Sequence, residues 1–439
     1  MTSLSNRRWL FFGAIALLTV GSSLWRLTHL KPDSLSPLVE PLPQDPTIQA
    51  FFNHSEASVY TDPYRQITRH GDNLEQVIVS AIEQSTTSVD IAVQALNLPL
   101  VAQALADSVQ RGVSVRLILE NQYAVMEAEQ AEALQILRDG SVPLIDDTAD
   151  GSKGSGLMHH KFLVIDQRWV LVGSANLTLS GVHGDVETPD SRGNANDLLK
   201  IDSGALAHPI TQEFNLMWGD GPGNHPNSLF GLQKPYRPAQ SITLPSGSVT
   251  LQFSPVSTAA QPWENSVNGL LARTLGQAHR SIDIALFVFS EQKIANQLEL
   301  KASTGPALRA LIDPSFIYRS YSEALDMLGV VLPDQRCKIE ENNQPWQAPI
   351  RTVGSPQLPD GDKLHHKFAV IDNATVIVGS QNWSHAANTK NDETLLIIHN
   401  PTVAAHFNRE FERLYRAPVG LGRTSTVEQK VAAEQNRCS

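Results

Sequence analysis

Two short stretches of the chain carry the same reactive side chains, 206 positions apart. The first, HHKFLVID, begins at His159, the second, HHKFAVID, begins at His365, and a GSxN sequence follows each of them. In both, a lysine stands two residues after the first histidine, and side chains two apart on a strand share a face. Each copy therefore presents a titratable imidazole beside a positive charge.

This set of residues suits chemistry at a phosphodiester. Lysine and asparagine side chains hold non-bridging oxygens and stabilise charge that develops in the transition state. One imidazole attacks phosphorus while an acid on the opposite side protonates the leaving alkoxide, which explains why two copies are useful. Neither half carries a carboxylate cluster suited to metal ions, so we expect no metal and no cofactor. The residues predicted to bind phosphate are Lys161, Lys367, Asn176, Asn382, Ser174 and Ser380.

The doubled pattern HxKxxxxD followed by GSxN resembles the phospholipase D superfamily over about residues 56 to 418. The resemblance implies a two-lobed α/β fold, in which each lobe is a mixed β-sheet flanked by helices and a pseudo-two-fold axis relates the lobes. It also implies a covalent phosphohistidine intermediate, with one histidine as nucleophile and the other as general acid and base. The catalytic residues that it implies are His159 as nucleophile, His365 as acid, Lys161, Lys367, Asp166, Asp372 and Glu393.

A carboxylate downstream of GSxN orients a catalytic histidine in members of this superfamily. Glu393 fills that position in the second half, and Asn196 aligns with it in the first half. Asp197, or a carboxylate of the acidic insert at 181–193, is therefore expected to orient His159, unless that histidine is less basic than usual.

Other motif residues are expected to serve the structure. Asp166 and Asp372 stand where a hairpin turns, and we expect their carboxylates to hold backbone N–H groups there. His160 and His366 have the opposite strand parity from the catalytic histidines, which predicts packing or surface roles.

The wider pattern predicts the elements that position these residues. Equivalent segments of the two halves are offset by 193 residues, as in SVDIAV from Ser88 and SIDIAL from Ser281, which indicates a duplicated domain. Apolar residues at helical spacing after a cap at Asp72 or Asn73 predict a helix. The segments SVDIAV, VRLILE, KFLVID and WVLVGS predict buried strands. Such alternation indicates sheets flanked by helices.

These patterns divide the chain into six parts. We expect an N-terminal anchor or signal sequence at 1–30, a Pro-rich linker at 31–55, a first lobe at 56–218, a connector at 219–247, a second lobe at 248–418 and a mobile tail at 419–439. Cys337 and Cys438 are expected to be unpaired, while a disulfide remains open in an oxidising compartment. Two motifs in one chain predict a monomer.

The N-terminus and the overall charge bear on the substrate. The uncharged apolar run at 9–25 follows Arg7 and Arg8. It predicts a membrane anchor with an extracytoplasmic catalytic body, secreted if the anchor is cleaved. The formal net charge of −11 disfavours duplex DNA, whose binding calls for a basic face. We therefore expect a phospholipid or membrane surface as partner, with the phosphodiester hydrolysed or exchanged with an alcohol.

Two alternatives remain open. GSQNWSHAANTKNDE in the second motif resembles nuclease-type members, so an extracytoplasmic metal-independent endonuclease acting on nucleic acid is the second hypothesis. A non-catalytic phosphate-binding membrane scaffold is the third, although a binding module needs no second histidine. The loop at 342–363 is a candidate for substrate selection, and its Trp346 for contact with a lipid interface.

Overall fold

The computed structural model describes residues 35–121, 128–149, 156–223, 227–416, 418, 420–422 and 424–439. Within these ranges, two mixed β-sheets flanked by helices form two lobes, as the duplicated pattern predicted. The predicted N-terminal anchor lies outside the described residues. Among the helices that are described, none is both long enough and apolar enough to cross a membrane.

The first lobe is built on a seven-stranded sheet and a separate two-stranded one. The strands of the lobe are β1 Ile48–Phe52, β2 Val59–Thr61, β3 Thr68–His70, β4 Ser88–Val93, β5 Ser114–Leu119, β6 Leu144–Asp146, β7 Lys161–Ile165, β8 Trp169–Gly173 and β9 Asp197–Asp202. The sheet order is β1-β9-β8-β7-β4-β5-β6, and β2 pairs separately with β3. The helices of this half are α1 Leu74–Glu83, α2 Pro99–Gln110, α3 Ala128–Asp139, α4 Leu179–Val182 and α5 Gly204–Trp218.

The second lobe repeats this plan with one additional edge strand. Its strands are β10 Gln240–Leu244, β11 Gly247–Ser254, β12 Ser281–Leu286, β13 Phe289–Ser290, β14 Ala307–Ile312, β15 Val353–Gly354, β16 Lys367–Ile371, β17 Thr375–Gly379, β18 Trp383–Ser384 and β19 Glu393–His399. The eight-stranded sheet has the order β10-β11-β19-β17-β16-β12-β14-β15. Its helices are α6 Val267–Gly276, α7 Gln292–Thr304, α8 Glu323–Met327, α9 His385–Thr389, α10 Pro401–Tyr415 and α11 Ser425–Cys438.

Local sequence accounts for several of these elements. Asn73 caps α1, because its Oδ1 accepts a hydrogen bond from the backbone N–H of Gln76 at 3.0 Å. A tight turn joins β7 to β8, with Asp166 and Gln167 both at positive φ, the backbone that a two-residue hairpin turn of primed type requires. Asp372 opens the equivalent turn between β16 and β17 at a φ of 54°. The helix and the paired hairpins agree with the sequence predictions.

A shared hydrophobic core joins the two lobes. Its buried members come from the motif strands, from the strands that neighbour them and from α5 and α10, and they include Phe162, Leu199, Phe214, Phe368, Leu396 and Phe407. Separate cores lie on the other side of each sheet. Because one core crosses between the sheets, the lobes pack as one unit around the motif strands.

Two predicted boundaries are wrong. Residues 31–55 were expected to be a linker, but β1 begins at Ile48 and pairs with β9 along five residues. The carbonyl of Pro43 also accepts a hydrogen bond from Nε2 of His406 at 3.1 Å. The connector expected at 219–247 contains β10, which forms the edge of the second sheet. Strands of five residues beside proline or glycine clusters carry too little periodicity to be recognised.

The C-terminal tail is not the mobile segment that we expected. It contains α11, whose Val427 is 1% exposed and packs into the core of the second lobe. A disulfide joins Cys337 to Cys438, so the prediction of unpaired cysteines is wrong as well. Trp346 is 3% exposed within the same core and cannot be the interfacial residue proposed for the loop at 342–363.

Candidate active site

The two motifs meet where the lobes exchange short backbone bridges. The N–H of His159 donates to the carbonyl of Asp392, and the N–H of His365 donates to the carbonyl of Ala195, both at 3.0 Å. In one bridge the residues before β7 pair with those before β19, and in the other the residues before β16 pair with those before β9. The residues that enter β19 and β9 are therefore held beside the histidine of the other half.

Glu393, the first residue of β19, contacts His159. Its Oε2 accepts from Nδ1 of His159 at 2.7 Å, and both side chains are buried. The carboxylate also accepts hydrogen bonds from Oγ of Ser380 at 2.6 Å and from Nδ2 of Asn391 at 3.2 Å. Alignment of the halves assigned Glu393 to the second motif and left Asp197 or an insert carboxylate for the first. That assignment is wrong, because the partners cross between the lobes.

Asn196 contacts His365 in the equivalent place. Its Oδ1 lies 2.9 Å from Nδ1 of His365 and accepts a second hydrogen bond from Oγ of Ser174 at 2.9 Å. Its Nδ2 donates to the carbonyl oxygens of Gly181 at 2.8 Å and Asn194 at 3.2 Å. These four bonds fix the amide with its oxygen toward the imidazole. His365 therefore has a neutral partner where His159 has a carboxylate.

Ser174 and Ser380, which we expected to bind phosphate, are fully buried. Besides their bonds to Asn196 and Glu393, their hydroxyls accept from the backbone N–H groups of Asp197 and Thr394, both at 3.0 Å. Each hydroxyl is therefore engaged by the side chain that contacts a histidine and by a backbone N–H group, and these contacts do not support the phosphate-binding role that we expected.

Lys161 and Lys367 begin the two motif strands and are buried. Each ammonium donates to the carbonyl of the histidine two residues earlier, His159 or His365, at 2.9 and 2.6 Å respectively. An ammonium has three donors, so bonding capacity remains on both side chains. The amide oxygens of Asn176 and Asn382 are buried without a hydrogen-bond partner. Of the predicted phosphate-binding groups, the two lysines thus retain donors for an anionic ligand, whereas an asparagine would have to present its Nδ2 to bind one.

Burial and repulsion between cations depress the pKa values of the histidines and lysines in this site, while burial raises the pKa of Glu393 to about 7. Burial, together with Lys161 and Lys367, holds the pKa of His159 well below its ordinary value, and the same causes act on His365. Burial also lowers the pKa of Lys161 to about 7. Both lysines influence both histidines, which shows that the four side chains converge. An anion bound among them would offset the repulsion, so the site favours an anionic group.

His160 and His366, which follow His159 and His365 in the chain, are fully buried. Nδ1 of His366 lies 2.9 Å from Oδ1 of Asp197 in the first lobe, and its Nε2 lies 3.0 Å from Oε1 of Glu410 in the second. Burial lowers the pKa of His366, but hydrogen bonds with these carboxylates outweigh it and raise the pKa. Nδ1 of His160 lies 2.8 Å from Oγ1 of Thr394 across the interface. Asp197 therefore contacts His366, and both histidines join the lobes.

Asp166 and Asp372 lie at the far ends of the motif strands. Their carboxylates accept from backbone N–H groups at 86–88 and 279–281, respectively, at 2.6 to 3.1 Å. Five strand residues at about 3.3 Å each separate them from the histidines. These contacts agree with the structural role read from the turn, and they do not support the catalytic role that the resemblance implied.

Comparison with known proteins identifies the family that both halves of the chain resemble. The family described as "Cardiolipin synthase, PLD-like domain" matches residues 78–218 and 271–415. Mitochondrial cardiolipin hydrolase of Xenopus laevis is 26% identical over 188 residues, which cover 42% of this chain and 78% of the frog protein. The human protein of the same name is 28% identical over 156 residues, and the chain spans 53% of its length.

A solved structure extends the likeness to the fold of both lobes. Phosphatidylserine synthase of Haemophilus influenzae superimposes with a TM-score of 0.57 at 12% identity, covering 90% of this chain and 94% of that one. At this identity the likeness concerns the fold alone. Since the family match takes in both motifs and well over half of the residues, the chain belongs to the phospholipase D superfamily.

Proposed function

We propose that this protein is a phospholipase D-like phosphodiesterase in which His159 is the nucleophile and His365 the general acid and base. The supporting observation is the 2.7 Å contact between Nδ1 of His159 and Oε2 of Glu393. A carboxylate on Nδ1 leaves the lone pair on Nε2 and stabilises the cation that forms on attack. The neutral amide of Asn196 leaves His365 the more acidic imidazolium, which suits protonation of a leaving group.

The first step forms the intermediate. Nε2 of His159 attacks phosphorus, the bond to the leaving oxygen breaks, and that oxygen takes a proton from the His365 imidazolium. The negative phosphodiester between Lys161 and Lys367 offsets the repulsion that depresses the pKa of His365, so substrate binding favours the protonated acid. The two lysines and the amides of Asn176 and Asn382 would stabilise the charge on the non-bridging oxygens.

The second step breaks down the phosphohistidine intermediate and releases the product. Water or an alcohol gives a proton to neutral His365 and attacks phosphorus, the phosphorus–nitrogen bond breaks, and His159 is restored. The proton taken up by His365 is ready for the next cycle, so neither protons nor electrons are left over. Hydrolysis and alcohol exchange differ only in the acceptor that enters on the His365 side.

The substrate class that we propose is a phospholipid at a membrane surface. The names of the relatives, cardiolipin hydrolase and cardiolipin synthase, support a lipid phosphodiester, and the net charge of −11 argues against nucleic acid. We also propose that the body lies outside the cytoplasm, held by the apolar run at 9–25. The Cys337–Cys438 disulfide supports this compartment, because disulfides persist where conditions are oxidising.

A turnover assay of the full chain in EDTA tests the substrate. Cardiolipin, phosphatidylglycerol and phosphatidylcholine vesicles are compared with single- and double-stranded DNA, using His159→Ala and His365→Ala as controls. We expect lipid cleavage that both substitutions abolish. DNA cleavage with intact lipids would contradict the lipid assignment and leave an endonuclease.

A burst experiment tests the assignment of the two histidines. p-Nitrophenolate leaves without help from an acid, so His365→Ala should release about one equivalent from bis(p-nitrophenyl) phosphate and then stall. Mass spectrometry should locate the phosphoryl adduct on His159, and His159→Ala should give no burst. An adduct on His365 would reverse the two roles.

A further inference from the structure

The two halves of the site differ at one structurally equivalent position. Gln94 follows β4 and Phe287 follows β12, with the 193-residue offset that relates the halves. Their backbones are placed alike: the N–H of Gln94 donates to the carbonyl of His160 at 3.2 Å, and that of Phe287 donates to the carbonyl of His366 at 2.9 Å. The side chains are thus presented to the site from matching points of the two lobes.

The two side chains give these points different chemistry. Oε1 of Gln94 accepts from Nζ of Lys161 at 3.4 Å, so the His159 side is bordered by a polar amide. The ring of Phe287 lies 5.0 Å from the ring of His365, centroid to centroid, and 4.7 Å from that of Phe316. Both phenylalanines are partly exposed. Within the part of the chain that the structure describes, an aromatic surface therefore borders the His365 side, and a polar amide stands at the equivalent point on the His159 side.

In-line displacement assigns these two sides to different parts of the substrate. If His159 attacks phosphorus, the leaving oxygen must point toward the acid, His365. We propose that Phe287 and Phe316 form the leaving-group subsite and select an alcohol with an apolar, uncharged body. This inference rests on the proposed function, and in particular on His159 as nucleophile.

Charge near the phenylalanines disfavours a cationic leaving alcohol. Nζ of Lys367 lies 5.1 Å from the centroid of the Phe287 ring. Nζ of Lys363 bonds Oγ of Ser315 at 3.1 Å, beside Phe316 in the chain. A quaternary ammonium would gain contact with the rings but would meet two lysines. An apolar chain avoids this repulsion and buries the exposed ring surface.

A cavity of about 350 Å³ has walls that come, among the described residues, from the second lobe. Pro314 and Tyr318, which lie two residues before and after Phe316 in the chain, line it together with Pro356 and Leu358. Asp360 and Asp362 also line it, so the apolar surface on which the proposal rests is that of the two rings.

Three short-chain lipids that share one transferred group test the subsite. Dihexanoyl phosphatidic esters of hexanol, methanol and choline differ only in the alcohol that leaves. With the wild-type full chain we expect kcat/KM to fall from hexanol to methanol to choline. Phe287→Gln, which copies the residue of the first lobe, should lower the hexanol-to-methanol ratio about tenfold, the size of effect an apolar contact supplies.

The pseudo-symmetry provides the control. Gln94→Phe places a ring on the nucleophile side, and whatever it does to the overall rate, the hexanol-to-methanol ratio should stay within about twofold of wild type. Phe316→Ala should lower the ratio in the same direction as Phe287→Gln, which keeps the test valid if one variant folds poorly.

The outcomes separate the subsite from the wider proposal. An unchanged ratio in both phenylalanine variants, with all three lipids cleaved, overturns the subsite alone. Preference for the choline ester in the wild type overturns the charge argument and with it the stated selectivity. Failure of the wild type to cleave any of the three esters overturns the proposed function and this inference together.

Discussion

Oε2 of Glu393 lies 2.7 Å from Nδ1 of His159, although 234 residues separate them in the chain and they belong to different lobes. The reverse crossing joins Asn196 to His365 at 2.9 Å. Each motif is therefore completed by the opposite half. His159 therefore has an acidic partner and His365 a neutral amide, and the roles that we propose for the two histidines rest on this difference.

Replacing Glu393 by Gln should reduce kcat by about 10³-fold with little change in KM, because an orienting carboxylate fixes the tautomer and stabilises the imidazole cation. The bis(p-nitrophenyl) phosphate burst reports the attack step directly and should slow by a similar factor. Asp202→Asn, at the partly exposed last residue of β9, serves as control. A burst rate within threefold of wild type would remove Glu393 from the mechanism.

Asn196→Asp should move the alkaline limb of the kcat profile upward by about one pH unit while lowering kcat. A carboxylate next to His365 raises the pKa of that imidazole and makes it a weaker acid. The new oxygen would also face the carbonyls of Gly181 and Asn194, which now accept from Nδ2, so the melting temperature should fall.

Ser174→Ala is the matched control for this substitution. It removes the other donor to Oδ1 of Asn196 without adding charge. It should destabilise the protein without moving the alkaline limb. If both variants shift the limb equally, charge at position 196 is not the cause.

Phosphate binding should weaken as pH rises above about 7. Burial lowers the pKa of Lys161 to about 7 in the empty site, so the amine is largely neutral above that pH. A bound anion favours the ammonium form, hence binding takes up a proton there, and affinity falls by up to tenfold per pH unit.

Calorimetric titration of inorganic phosphate in buffers of different ionisation enthalpy measures that proton. At pH 8 we expect net uptake of protons on binding, after correction for the ionisation of phosphate itself. Lys161→Met should abolish the part of this uptake that comes from the lysine. Proton uptake that persists in full in Lys161→Met would show that a group other than Lys161 takes up the proton.

Asp197→Asn should lower the free energy of unfolding by about 3 kcal/mol near pH 6, the loss typical of breaking a buried pair. Hydrogen bonds with Asp197 and Glu410 raise the pKa of His366. A raised pKa means that stability is fully present below the unfolded value of about 6.5 and is lost as pH rises through the folded value. The difference in the free energy of unfolding between Asp197→Asn and wild type should therefore become smaller at alkaline pH.

Asp202→Asn provides the comparison for that experiment too. It lies in the same strand and breaks an exposed pair with Arg168, where about 1 kcal/mol or less is expected. Chemical denaturation at pH 6 and pH 9 measures both variants. Equal losses for the two substitutions would show that His366 does not hold the lobes together through charge.

What the sequence could reveal was local. Lys161 and Lys367 follow from a two-residue spacing, the hairpin at Asp166 from its turn, and α1 from apolar periodicity after Asn73. The partner of His159 could not be found this way, because Glu393 and Asn196 align with each other and only the docking of the lobes shows that they exchange. The same holds for Trp346 and for Cys438, whose surroundings are formed by residues distant in the chain.

The crossing has a consequence for the protein while it is being made. A ribosome produces His159 long before Glu393, because the carboxylate that contacts His159 belongs to β19, near the end of the second lobe. A first lobe that folds early has neither this carboxylate nor His365. If His159 is the nucleophile, as we propose, the nascent chain should therefore be inactive toward phosphodiesters until most of the second lobe has been made.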